Sequence, residues 1–62
     1  MAKFLVVFRD KGNCDITDVT VVCNNIVFAA CEARHKILIR DGEGKSKELD
    51  RDTDSIRVEK LT

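Results

Sequence analysis

The 62-residue sequence lacks proline, tryptophan and tyrosine and carries no net charge. Its length excludes two-domain enzymes and large α/β folds, so we expect one small domain over residues 1–62. Eleven basic residues balance eleven acidic ones along the chain. Nucleic-acid binders usually show a basic excess, because neutralising phosphates supplies much of their affinity. The charge balance therefore argues against a nucleic-acid partner.

The sequence also has an odd number of cysteines and no long apolar run. Cys14, Cys23 and Cys31 cannot all pair within one chain, which argues against a disulfide framework. The five apolar residues 4–8 are too few for a signal-peptide core and far too few to span a membrane. We therefore expect a cytoplasmic protein with reduced thiols and no membrane contact.

Two segments have the composition of β-strands. Residues 4–8 (FLVVF) are β-branched and aromatic and are followed by a turn-like stretch. They are apolar on both faces, which is typical of a central strand or of one covered by another subunit. Residues 55–61 (SIRVEKL) alternate polar and apolar, which predicts a strand with one solvent-exposed face.

The segment from Asp15 to Ile39 allows two interpretations. Residues 19–23 and 26–30 flank an Asn-Asn pair, and asparagine tolerates the positive φ that a two-residue hairpin turn requires. The alternative is a helix over about residues 17–35, where apolar residues also recur at helical spacing. The clustered β-branched residues and the two central asparagines favour the hairpin. A short helical turn near His35 is compatible with either interpretation.

The second half of the chain adds further β signals. Residues 36–40 (KILIR) have the composition of a strand, and ten of the fifteen residues 40–54 are charged. Such a charged stretch with two glycines predicts a solvated hairpin with charge-protected edges. We therefore predict a mainly β domain, an antiparallel meander of five to six strands in a compact barrel or open sheet. The alternative is an α+β fold with the helix at 17–35 on a three- to four-stranded sheet.

Cys14, Cys23, Cys31 and His35 have the residue types of a zinc site. Their spacing, C-x8-C-x7-C-x3-H, comes close to that of one class of Cys3His zinc finger. In the hairpin register Cys23 and Cys31 would lie about 15 Å apart on opposite faces. We therefore expect no metal and no other cofactor, with Cys23 and Cys31 as small core residues and Cys14 in a loop. A Cys3His module that binds single-stranded nucleic acid is the alternative function.

Three further motifs match known sites only in part. Residues 42–46 (GEGKS) look like the end of a phosphate-binding loop, but Ile39 stands where the first glycine is needed. Residues 50–54 (DRDTD) supply calcium-loop oxygens without the required glycine and glutamate. A nucleophile pair of Cys31 and His35 can be drawn, but chains this small rarely enclose a substrate pocket. We expect no catalytic residues and a non-enzymatic protein.

The order of the strand segments is similar to that of a group of phage proteins. Residues 4–10 (FLVVFRD), 24–28 (NNIVF) and 54–59 (DSIRVE) resemble the pattern of short β-meander proteins that phages and prophages carry. The resemblance implies a small cytoplasmic accessory protein that binds or inhibits a host protein. It assigns no binding residues.

These observations together predict a non-enzymatic protein-interaction module that binds a protein partner by a sheet edge or a surface patch. The two-faced apolar strand at residues 4–8, with Val22 and Val27 on the second hairpin face, suggests a surface that another subunit covers. A homodimer is the expected assembly.

Overall fold

A computed structural model describes all 62 residues as three strands, two α-helices and one 3₁₀ turn. In chain order the elements are β1 (Ala2–Arg9), β2 (Asp15–Cys23), the 3₁₀ turn (Ile26–Phe28), α1 (Ala29–Asp41), α2 (Glu43–Asp52) and β3 (Ser55–Lys60). The strands form one antiparallel sheet in the order β2-β1-β3. The two outer strands, β2 and β3, therefore each have one side without a neighbouring strand.

β1 lies at the centre of the sheet, as its apolar composition predicts. Phe4, Val6 and Phe8 point to the face that the helices cover, and none is more than 3% exposed. On the opposite face no second layer is present, yet Val7 is buried because Asp18 and Arg57 lie beside it in register. The central position of β1 thus accounts for its two apolar faces without a covering subunit.

α1 packs on the sheet through small residues. Ala29, Ala33 and Ile37 are spaced by four, lie on one face of the helix and are buried. The two alanines carry no side chain beyond Cβ, so the helix backbone lies close to the strands. α2 contributes only Leu49 to the core. The core is one apolar layer between the sheet and the helices, completed from β2 by Val19, Val21 and Cys23.

Asn25 begins the helical half of the chain. Its side-chain oxygen accepts a hydrogen bond of 3.0 Å from the N–H of Val27, the usual role of asparagine before a helix. The 3₁₀ turn then leads directly into α1 at Ala29. The Asn-Asn pair is therefore a helix start rather than a hairpin turn, and the strand predicted at 26–30 is wrong.

The prediction of a mainly β fold is wrong, since the protein is a small α+β fold with a three-stranded open sheet. Residues 36–40 lie in α1, and most of the charged stretch 40–54 is α2. Burial of Ile37 in line with the alanines outweighs the β propensity of its neighbours. In α2 the pair Glu43 and Lys47, 3.3 Å apart, has the spacing that supports exposed helices.

The α+β alternative has the right class but misplaces its helix. Residues 17–23 belong to β2 and pair with β1, and helical structure begins only after them. The strands predicted at residues 4–8 and 55–61 are confirmed as β1 and β3. The polar residues of β3 that alternate with Ile56 and Val58 are exposed, as the sequence predicts.

Candidate functional site

The four residues considered as zinc ligands do not come together. Cys14 precedes β2 and Cys23 ends it, so about 30 Å of extended chain separates them. Cys31 and His35 lie one turn apart on α1, where both are exposed. No group of three or more His, Cys, Asp or Glu residues is placed to hold a metal ion. The Cys3His interpretation therefore has no geometric support.

The three cysteines occupy different environments. Cys23 is buried in the core, and its thiol donates a hydrogen bond of 3.3 Å to the carbonyl oxygen of Asn25. Cys14 is exposed before β2, as predicted. Cys31 is exposed on α1, so its assignment to the core is wrong. That assignment failed because it assumed a strand, in which alternate residues face the core.

The surface has three depressions, and neither Cys31 nor His35 lines any of them. The depression with the largest volume, about 510 Å³, lies between the β1–β2 loop and the end of α2, and Ile16 is its one hydrophobic lining residue. Ligand pockets are usually lined mostly by apolar side chains. The depressions thus do not enclose the nucleophile pair that the sequence allows.

At the end of each helix an arginine pairs with the aspartate that follows it in the sequence. Arg40 donates hydrogen bonds of 3.0 and 2.9 Å to the carboxylate of Asp41, and Arg51 pairs in the same way with Asp52. The hydrogen bonds from Arg40 hold the pKa of Asp41 below its ordinary value, and those from Arg51 lower the pKa of Asp52. Residues 43–46 of the partial phosphate-loop motif and residues 50–52 of the partial calcium-loop motif lie in α2, where Lys45 pairs with Glu48 and Arg51 pairs with Asp52.

The side of α1 opposite the core carries several exposed apolar residues. At 3.6 residues per turn, five of the exposed residues that point away from the buried ones form one stripe along the helix, and the exposed Glu32 and Arg34 flank it on its two sides. We name this stripe the outer face of α1; its residues are Phe28, which ends the 3₁₀ turn before α1, and Cys31, His35, Leu38 and Ile39. All five are exposed, and Ile39 is exposed to 72% and Phe28 to 58%. α1 thus presents apolar residues on two opposite sides.

The sequence contains the signal for this outer face, although strand assignments hide it. The first four residues of the face recur at intervals of three, four and three, the spacing of one face of a helix. When residues 26–30 and 36–40 are assigned to strands, the same side chains divide between two faces of a sheet. The outer face becomes visible only once the segment is known to be helical.

The two sheet edges differ in how their free backbone groups are covered. The carbonyl oxygen of Lys3 accepts a 2.7 Å hydrogen bond from the N–H of Leu61, beyond the end of β3. Odd-numbered residues of β1 thus bond toward β3 and even-numbered ones toward β2, because backbone groups alternate along a strand. Thr20 lies opposite Leu5, so its own N–H and C=O point to the outer edge of β2.

A lysine of α1 covers the centre of the β2 edge. The ammonium group of Lys36 donates a hydrogen bond of 2.8 Å to the carbonyl oxygen of Thr20. Lysine at a sheet edge opposes pairing with a further strand. No side-chain hydrogen bond reaches the backbone of β3, so its outer edge stays open.

No protein-family model, curated protein or solved structure matches the chain. Neither helix combines the length and the apolar composition needed to cross a lipid bilayer. The candidate binding surfaces are therefore those that the geometry itself defines, the outer face of α1 and the open edge of β3.

Proposed function

We propose that the protein is a non-enzymatic interaction module that inserts the outer face of α1 into an apolar groove of a protein partner. The observation that carries the proposal is that α1 is apolar on two sides. Ala29, Ala33 and Ile37 fill the core, whereas Phe28 and Ile39 on the opposite side are exposed to 58% and 72%. Only the first set of contacts is needed for the fold.

The arrangement of the outer face fits helix-in-groove recognition. Isolated exposed apolar residues are ordinary, but Phe28, Leu38 and Ile39 recur on one side of the helix, and such a grouping on a small protein favours a binding surface. Helices that bind in grooves place their anchors at positions i, i+3, i+4 and i+7. Phe28, Cys31 and His35 follow this spacing, and Leu38 and Ile39 extend it by another turn. Burial of these side chains in a groove removes apolar surface from water, which favours binding.

We carry the class of partner over from the resemblance to phage accessory proteins, although only two of its three segments, residues 4–10 and 54–59, fall mainly in strands and residues 24–28 do not. In this proposal the protein acts in the cytoplasm of a host cell and binds or inhibits a host protein. The 3₁₀ turn extends the surface at the start of α1, because Val27 is 74% exposed beside Phe28. A groove that accommodates an aromatic residue at one end and branched aliphatic residues at the other is the expected complement.

The test is an affinity capture with two matched isoleucine variants. Ile39→Glu places a charge on the outer face, and Ile16→Glu makes the same change on β2, where Ile16 is 41% exposed. Each purified variant and the wild type are immobilised and exposed to a lysate of the cells that naturally produce the protein. Bound proteins are quantified by mass spectrometry. Circular dichroism and urea denaturation establish that each variant is folded.

We expect one protein that wild type and Ile16→Glu retain equally and that Ile39→Glu retains about tenfold less, since a buried charge opposes binding. Capture alone does not support the proposal; capture that depends on the outer face does. The proposal is wrong if nothing is enriched over empty beads, or if Ile39→Glu captures the same protein as well as the wild type does.

A further inference from the structure

The outer edge of β3 presents a defined set of unpaired backbone groups. Because odd-numbered residues of β1 bond toward β3, their partners Arg57 and Glu59 use their backbone groups within the sheet. The N–H and C=O groups of Ile56, Val58 and Lys60 therefore point outward. No side chain covers them, in contrast to Thr20 of β2, whose carbonyl oxygen binds Lys36.

The apolar side chains of β3 are also less well covered than those of β2. Val19 and Val21 of β2 are buried under the helices, whereas Ile56 and Val58 of β3 are only partly buried. An apolar strip therefore remains beside the open edge, on the same face of the sheet as the helices. A strand added at this edge would cover both the backbone groups and part of this strip.

We propose that this edge pairs with β3 of a second copy of the chain, in antiparallel orientation about a twofold axis at Val58. The two three-stranded sheets then form one continuous sheet of six strands. In this register Val58 faces Val58 of the second copy, and Ile56 faces Lys60, so that outward backbone groups meet outward backbone groups. The inference does not depend on the outer face of α1.

Charge complementarity singles out this register and this partner. With the axis at Val58, Arg57 lies directly opposite Glu59 of the second copy, and the twofold symmetry repeats the pair. Directly opposed side chains of opposite charge stabilise a strand pair, and like charges destabilise it. Moving the axis by one residue keeps outward groups paired but sets Arg57 against Arg57, or Glu59 against Glu59. The sequence of β3 is thus complementary to itself in one of these three registers.

The size of the contact sets the expected strength. One pair of six-residue strands is a small interface, and small interfaces belong to weak or transient complexes. The dimer is therefore expected to form at micromolar or higher concentrations. Alternating charge on β3 also discourages pairing with unrelated edges while it favours the chain's own copy.

Charge exchange tests the register. Arg57→Glu sets two glutamates against each other at each pair, and Glu59→Arg sets two arginines against each other. Sedimentation velocity from micromolar to millimolar concentration should show that each variant dimerises about tenfold or more weakly than the wild type. Lys47→Glu, which changes the net charge by the same amount as Arg57→Glu but on the exposed surface of α2, should leave dimerisation unchanged.

Two further samples restore opposite charges across the strand pair. They test the register even if a single variant is less stable. The double variant Arg57→Glu with Glu59→Arg restores opposite charges and should dimerise as the wild type does. An equimolar mixture of the two single variants should form a heterodimer, because one chain then carries two acidic and the other two basic residues at these positions. Circular dichroism establishes that each protein is folded.

The inference is overturned if the wild type stays monomeric at millimolar concentration, or if the single variants dimerise as well as the wild type. It is also overturned if the single variants dissociate and neither the double variant nor the mixture restores dimers. Ile39→Glu, on the outer face of α1, should dimerise normally. The proposed function and the proposed dimer can therefore be contradicted independently of each other.

Discussion

The ammonium group of Lys36 in α1 lies 2.8 Å from the carbonyl oxygen of Thr20, at the centre of the exposed edge of β2. Thr20 lies opposite Leu5 of β1; the backbone groups of Leu5 bond toward β3, whereas those of Thr20 point to the outer edge of β2. The helix that fills the core thus also covers one sheet edge with a charge. The edge of β3 has no such cover, so we expect a further strand to pair with β3 rather than with β2.

Replacement of Lys36 by methionine should open the β2 edge. The variant keeps a long side chain but loses the charged donor, so the Thr20 carbonyl becomes available to another strand. We expect self-association beyond that of the wild type, growing with concentration, as measured by light scattering and sedimentation. Lys47→Met is the matched control, because Lys47 is paired with Glu43 on α2 and covers no edge. Equal association of the two variants would show that Lys36 does not protect the strand.

Gly42 and Gly44 should respond to alanine in opposite directions. Gly42 joins the two helices at φ 92° and ψ 169°, a region essentially restricted to glycine, so Gly42→Ala should destabilise the protein by about 1–3 kcal/mol. Gly44 lies within α2, and a Cβ there would meet no atom within 4 Å. Gly44→Ala should therefore stabilise by about 0.5–1 kcal/mol. Urea denaturation of both variants measures the two signs, and a shared sign would contradict the assigned backbone.

The strands that the sequence identifies are those whose local pattern is decisive. β1 is a short run of β-branched and aromatic residues, and β3 alternates from Ser55 to Glu59, so each pattern favours a strand. Residues 26–41 combine β-branched side chains with helical spacing, and the choice between the two depends on packing. Ala29 and Ala33 are small enough for a helix to lie on the sheet, a tertiary contact that no local propensity contains. Asn25 adds to the ambiguity because asparagine suits both hairpin turns and helix starts.

The candidate surfaces were harder to predict than the fold, because each depends on which element carries its residues. The three cysteines and the histidine have the residue types of a zinc site, yet Cys14 and Cys23 lie at opposite ends of β2. The outer face of α1 exists only if residues 28–39 are helical. Cover of the β2 edge depends on Lys36, which the composition of residues 36–40 places in a strand. The outer face of α1 and the cover of the β2 edge thus both depend on a correct helix assignment.

Enlarging Ala33 should separate α1 from the sheet. Ala33 has no exposed surface, so Ala33→Leu adds three carbons to a filled core and should cost about 1–3 kcal/mol of the free energy of unfolding. The control Glu32→Leu introduces leucine at the preceding position, which is exposed. The control should change stability by no more than about 0.5 kcal/mol. Urea midpoints at low protein concentration compare the two, and equal effects would contradict the buried position of Ala33.

Removal of the Asn25 side chain should destabilise the start of the helical half. Its oxygen accepts the N–H of Val27 at 3.0 Å, and loss of such a cap costs typically about 1 kcal/mol. Asn24→Ala is the matched control, because the side chain of Asn24 makes no hydrogen bond. Asn25→Ala should lower the urea midpoint, and hydrogen exchange should show the loss first in the amides of Val27 and Phe28. If Asn24→Ala lowers the midpoint as much as Asn25→Ala does, a general change in the loop, rather than the cap, determines the stability of this junction.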